Sequence, residues 1–289
     1  MSLKSLFILI ASVFFLSCKS SKNENPFAHL PAEEREKLAT FYHNISITEH
    51  HYGAQTGRLH RVYKDSALMA VPDHVEYMQR ASYSYKKSGE HIKAMQMLNK
   101  AVALDVEKNS TKALEYKAWS MLYFYRDYES TIKDVDLIEK INFPKKYNGC
   151  HGEPCLFLKG QAYYQLGEYQ NAIETFEYLL KILEEKGLDP KDEFLTNFYL
   201  ARSYFKSNNL DKSLFYLEEQ LEMPYTVKAE LNFYAGQIYV LKDEKEKALQ
   251  HFLKAKELFL KNDKFYEPYI ERFDEIFIDD IESEITGLN

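Results

Sequence analysis

The chain has 289 residues, 45% hydrophobic and 28% charged, which excludes a disordered or collagen-like polypeptide. Ten Gly, eight Pro and one Trp beside 23 Tyr and 19 Phe leave few turn residues and point to long helices. The formal charge of −7 excludes a broadly basic nucleic-acid binder, and no basic face is visible in the sequence.

In chain order, Lys4 precedes an apolar stretch, Leu6 to Leu16, in which Ser12 is the one polar residue, then Ser17-Cys18 and the polar run Lys19 to Asn25. A basic start, a short apolar core and a small residue at the cut site describe a secretory signal peptide over residues 1–17. The core is too short for the ~20 residues of a spanning helix. Phe15-Leu16-Ser17-Cys18 resembles the lipobox of bacterial lipoproteins, with Phe15 where that family favours Leu. The resemblance implies that Cys18 becomes the first mature residue and carries diacylglycerol plus an amide-linked acyl chain. Several chains together tether a protein essentially permanently. Lys19, rather than an aspartate that retains some lipoproteins in the inner membrane, favours the outer membrane, periplasmic face over cell surface. Residues 18–29 read as the lipidated start and a flexible linker.

Residues 30–72 read as a divergent helix pair. Pro31 followed by Glu33, Glu34 and Glu36 marks a helix start, with acids where the helix dipole favours them. That helix runs to about His51, and a second from about Gly57 to Met69. His43, His50, His51 and His60 do not fall at the three- or four-residue step of a metal-ligand pair and read as solvated helix histidines; no metal site is expected.

A repeat follows. Ala81, Ser84, Gly89 and Ala94 are echoed by Gly160, Tyr163, Gly167, Ala172 and Phe176, and by Gly236, Tyr239, Ala248 and Phe252. Weaker copies run through Trp119, Leu122, Thr131 and Val135, and through Ala201, Tyr204, Ser213 and Leu217. Small residues let two backbones approach, and the following ring or Leu fills the space beside them. One column falls at Ala94, Thr131, Ala172, Ser213 and Ala248, at intervals of 37, 41, 41 and 35 residues. The pattern resembles the tetratricopeptide repeat, whose period is ~34 residues. Trp119 departs from it by standing where a small residue belongs. The resemblance implies an all-α fold, a right-handed α-solenoid superhelix of antiparallel helix pairs. Five repeats fit residues 75–260, at about 75–108, 112–145, 153–186, 194–226 and 229–262. The excess length falls in the connections Asn142 to Glu153 and Glu184 to Lys191.

Cys150 and Cys155 flank a turn, and in an exported chain they suggest a disulfide, with two free thiols as one alternative and a redox or metal site as another, which the four-residue spacer disfavours. Residues 263–289 hold nine acids against two bases. Their apolar residues Tyr266, Ile270, Phe273, Phe277, Ile281 and Ile285 recur at steps of three or four, which predicts one acidic amphipathic helix capping the end of the stack.

No phosphate loop, nucleophile elbow or His-Glu-x-x-His motif is present, so no catalytic residue, metal or cofactor is assigned and an enzyme is not expected. Positions that face the inner groove in the resembling family read Gln79, Tyr116, Phe157, Phe198 and Phe233, then Lys86, Tyr123, Tyr164, Phe205 and Val240, with Tyr83, Ser120, Gln161, Arg202 and Gln237 between. Tyr83, Tyr116, Tyr123, Phe157, Gln161, Tyr164, Phe198, Arg202, Phe205, Phe233 and Gln237 are therefore the candidate partner-binding residues. Exposed rings there would form an apolar binding surface; alternatively they pack on neighbouring repeats or lie under the N-terminal segment. The family's Lys-Asn-Arg carboxylate clamp would need Lys and Asn where Gln79 and Tyr83 stand. The expectation is a lipid-anchored scaffold for another envelope protein or peptide segment; the alternative is glycan or small-molecule capture in nutrient uptake.

Overall fold

A computed structural model describes residues 25–48, 55–224, 226–267, 270 and 272–288. The expected signal peptide, Cys18, His50 and His51 lie outside them. Among the described residues all regular structure is helical except one hairpin of two two-residue strands. The chain divides into two compact units, 1–101 and 102–289.

In the first unit, α1 (Ala32–Thr48) starts behind Pro31 with Glu33 and Glu34 in its first turn, and packs on α2 (Arg58–Ala70). Next come α3 (Val75–Lys87) and most of α4 (His91–Val106). Ala39, Ala67, Ala70 and Tyr77 form the small core. His43 and His60 are buried in this unit, which corrects their reading as solvated side chains. The His43 ring stacks 4.6 Å from Tyr77 and lies 3.3 Å from the buried Lys64 ammonium. Burial, then Lys64, lowers His43 to about 4, and burial lowers Lys64 to about 8, so neutral His43 is the state this core accommodates.

The second unit repeats one packing rule. Its helices are α5 (Lys112–Ser120), α6 (Tyr128–Asn142), α7 (Cys155–Gln165), α8 (Tyr169–Glu185), α9 (Phe194–Lys206), α10 (Leu210–Glu222), α11 (Lys228–Leu241) and α12 (Lys245–Leu260). Each packs on the next, so successive pairs stack. At Gly160 an added Cβ would lie 2.4 Å from the Phe176 ring; at Gly236 it would lie 2.7 Å from Phe252. The glycine is the condition for the ring's position. Between paired helices, Arg126, Gly167, Asn208 and Asp243 all take positive φ, the left-handed stop that ends one helix and turns the chain into the next.

The second repeat departs from the frame at Trp119, and there the backbone departs too: α5 widens into a π turn, Met121–Tyr125, before α6. The excess residues after α6 form the hairpin β1 (Gly149–Cys150) and β2 (Glu153–Pro154). Cys150 and Cys155 are joined by a disulfide at the start of α7, with Cα atoms 4.9 Å apart.

The expected helix over 263–289 is shorter than its periodicity suggests. Only α13 (Ile278–Leu288) is regular, and the described residues between α12 and α13 form no helix. Two features oppose one: Pro268 lacks an N–H and its ring disfavours helix at Glu267, and Asp274 takes φ +56°. The periodicity misleads accordingly: Tyr266 and Phe277 are exposed, while Phe265, Phe273 and Ile276 are buried.

Candidate partner-binding groove

Helices α5, α7, α9 and α11 and the π turn after α5 carry the expected groove residues of the second unit, and the structure brings Tyr123, Tyr164, Phe198 and Arg202 together around the chain's own Phe265, Phe273 and Asp274. Phe265 packs edge-on against Phe198 with ring centroids 5.2 Å apart, and lies 5.5 Å from Phe194. Its backbone N–H donates to Glu230 Oε1 at 2.9 Å. Phe273 stacks on Tyr123 at 6.0 Å, with the Arg126 guanidinium 4.7 Å above its ring.

The tightest polar contacts fall on two consecutive residues. Tyr199 Oη donates to the Phe273 carbonyl and Tyr234 Oη to the Asp274 carbonyl, each at 2.8 Å. The Asp274 carboxylate accepts from Tyr164 Oη at 2.5 Å and from Arg202 Nε at 3.1 Å. The Arg202 guanidinium lies 3.6 Å from the Tyr234 ring centroid and 5.0 Å from that of Phe205. Burial, with the Asp274 carboxylate nearby, pushes the Tyr164 and Tyr199 hydroxyls far above their ordinary value, so both stay protonated and donate. Farther along, Gln237 Nε2 donates to Glu284 Oε1 at 2.8 Å, and Lys256 pairs with Glu282 at 2.7 Å, docking α13.

The candidate residues divide by exposure. Tyr116, Tyr123, Phe157, Gln161, Tyr164, Phe198, Arg202 and Phe233 are buried. Tyr83, in the first unit, and Phe205 and Gln237 are half-buried. Phe157 and Phe198 sit in inter-helix packing, Phe157 at 6.2 Å from Phe176 and 6.0 Å from Tyr199. Tyr116 belongs to a cluster with Trp119, whose ring lies 4.9 Å from His151. Tyr123 donates to Gln161 Oε1 at 2.6 Å. The rings are thus covered in two ways: Phe157 and Tyr116 by neighbouring helices and the 149–154 hairpin, and Tyr123, Tyr164 and Phe198 also by Phe265, Phe273 and Asp274.

An open cleft of about 660 Å³ remains beside that segment, lined by Arg202, Phe205, Lys206, Phe233 and Gln237 on one side and by Asp274, Glu275, Asp280 and Glu284 on the other. The sequence reading missed Tyr199, Glu230, Tyr234 and Asp274. Burial raises Glu230 to about 7, against weaker lowering by the backbone N–H groups it receives. The only available sign of these residues was their chemistry: polar side chains one step from the groove columns, and one aspartate among many in an acidic tail.

A sequence profile of the tetratricopeptide repeat matches residues 75–105 and again residues 154–186. The chain carries tetratricopeptide repeats. No curated protein matches it. Solved structures share the fold at low identity. The C-terminal part of a TPR repeat-containing protein from Cytophaga hutchinsonii is 19% identical, with a TM-score of 0.58 over 78% of this chain and 88% of that one. PilW, a type IV pilus biogenesis factor, is 14% identical with a TM-score of 0.56 over 89% and 97%. YrrB, a TPR protein described as having an unusual peptide-binding site, is 17% identical with a TM-score of 0.50 over 68% and 91%. The chain is an all-α TPR solenoid in fold class, and its repeats form a scaffold suited to protein–protein interaction.

Proposed function

We propose that this protein is a lipid-anchored, non-catalytic TPR scaffold that binds another envelope protein, or a peptide segment of one, through the concave face of its second unit. The observation that carries the reading is the cleft of about 660 Å³ that puts Phe205, Phe233, Gln237 and the buried Arg202 beside a seat already shaped around non-helical backbone. Rings for apolar contact, with a few placed donors, are the composition of a peptide-binding surface. The Cys150–Cys155 disulfide favours an exported, oxidising location. Anchoring rests on Cys18, since no described helix is long and apolar enough to cross a membrane. The lipidated chain sits on the periplasmic face of the outer membrane.

Two measurements test this. A photo-crosslinking amino acid in place of Phe205 is expected to capture a discrete envelope protein in living cells, and the same group in place of the exposed Phe215 on α10 is not. The same products from both positions, or none from either, would refute groove binding. Cys18→Ala is expected to release the protein from the membrane fraction; unchanged retention would refute the anchor.

A further inference from the structure

Phe265, Phe273 and Asp274 are held as parts of a ligand are held. Elsewhere in the second unit, helices meet through apolar side chains and small-residue contacts, joined by side-chain bonds such as Tyr123 to Gln161, Lys117 to Asp134 and Ser213 to the Ala201 carbonyl, all between regular helices and their turns. Here, hydroxyls from α9 and α11 read two consecutive main-chain carbonyls, while Tyr164 and Arg202 take the carboxylate between them. Main-chain hydrogen bonds supply affinity and side-chain pockets supply specificity, which is the logic of bound extended peptides. The charges agree, since an acidic tail lies against Arg126 and Arg202.

The grip is also incomplete. Arg202 is buried, and its Nη1 has no hydrogen-bond partner among the described residues. A buried donor left unmade costs free energy that a better-fitting ligand recovers. The tail keeps its place despite this because it is joined to α12 by the same chain, and a tethered segment acts at an effective concentration on the order of millimolar.

We infer that residues 272–277, with Phe265 before them, are a resident ligand of a peptide-binding groove, exchanged for a partner segment of the same chemistry: a non-helical stretch with an aromatic residue followed directly by a carboxylate. The inference rests on the proposed scaffold function and names the partner's recognition chemistry. In the resting protein the chain occupies its own site, and a partner binds by displacing Phe273 and Asp274 from Tyr123, Tyr164 and Arg202.

The test uses the full chain carrying Cys18→Ala and a fluorescent peptide copying residues 263–277. Phe273→Ala/Asp274→Ala is expected to bind the peptide at least tenfold more tightly than the chain with the native tail. Adding Arg202→Gln, or using a peptide with Asp274→Asn, is expected to remove that gain. Equal binding by both chains, or indifference to the peptide's aspartate, would overturn the inference. Should the double variant not fold, Ile276→Cys decides instead. That buried thiol is expected to react several-fold faster with a maleimide when unlabelled peptide is in excess, and an unchanged rate would overturn the proposal. Concentration-dependent dimers of the double variant with wild-type chain would assign the groove to a second copy's tail. Crosslinks from position 205 that persist while the peptide fails would leave the scaffold reading standing without a resident ligand. Peptide exchange without crosslinks would do the reverse.

Discussion

The inter-helix interior and the concave face of the second unit are both ring-rich and both buried, yet they are built differently. Between helices of a pair, Phe176 and Phe252 press on glycines, with no polar atom in the contact and no room for a methyl group. On the concave face, Tyr164, Tyr199, Arg202 and Tyr234 each hold the tail by a directional bond. Close-fitting ring-on-glycine packing fixes the helix pair, and polar bonds such as Ser213 to the Ala201 carbonyl reinforce it; on the other face the hydroxyl bonds run to the main chain of a segment that is not helical. The difference teaches that burial alone does not tell helix packing from tail contacts, whereas what the hydrogen bonds reach does.

The comparison breaks first at two phenylalanines of similar burial, Phe252 and Phe273. Phe252→Ala is expected to cost about 3–5 kcal/mol in denaturant unfolding, the range for a buried ring whose cavity cannot close. Phe273→Ala is expected to cost clearly less, because the tail can leave while the helix pairs remain. Equal losses would make the tail part of the cooperative core.

A pH series sharpens the same contrast at Glu230, which is nearly fully buried. Its carboxyl is raised to about 7, so the folded chain keeps a proton that the unfolded chain has already released above about pH 4.5. The stability it contributes is whole below about 4.5 and is lost as pH rises through 7, a decline of at most about 3 kcal/mol. Glu230→Gln is expected to flatten that slope in chemical denaturation, and an unchanged slope would contradict the assignment.

Smaller effects belong to the staple and the grip. Reducing Cys150–Cys155, or Cys150→Ser with Cys155→Ser, is expected to lower stability by about 2 kcal/mol in the loop-entropy picture. Tyr199→Phe removes one hydrogen bond to the Phe273 carbonyl and is expected to cost about 1 kcal/mol. Calorimetry reads the first and denaturant titration the second.

What the sequence showed and what it hid follow the same division. The helix pairs were legible because close approach demands Gly160 and Gly236 and turns demand residues tolerant of positive φ, so the constraint is written at a fixed spacing. The aromatic columns were legible as columns but not as covered. Their cover, Phe265 and Phe273, lies in a stretch whose apolar spacing imitates a helix that Pro268 and Asp274 oppose. Asp274 could not be singled out, since a lone acid seated by tertiary contacts leaves no periodic trace. His43 was misjudged for a related reason: its burial depends on Tyr77 and Lys64, distant in sequence.

Native-state hydrogen exchange across the second unit tests the central claim, that the concave face holds a removable segment on a permanent scaffold. Amides of α13 are expected to exchange through a local opening that denaturant barely affects, at a free energy several kcal/mol below that of the amides of α12, which exchange only on global unfolding. One common free energy and one common denaturant slope for both helices would contradict the account.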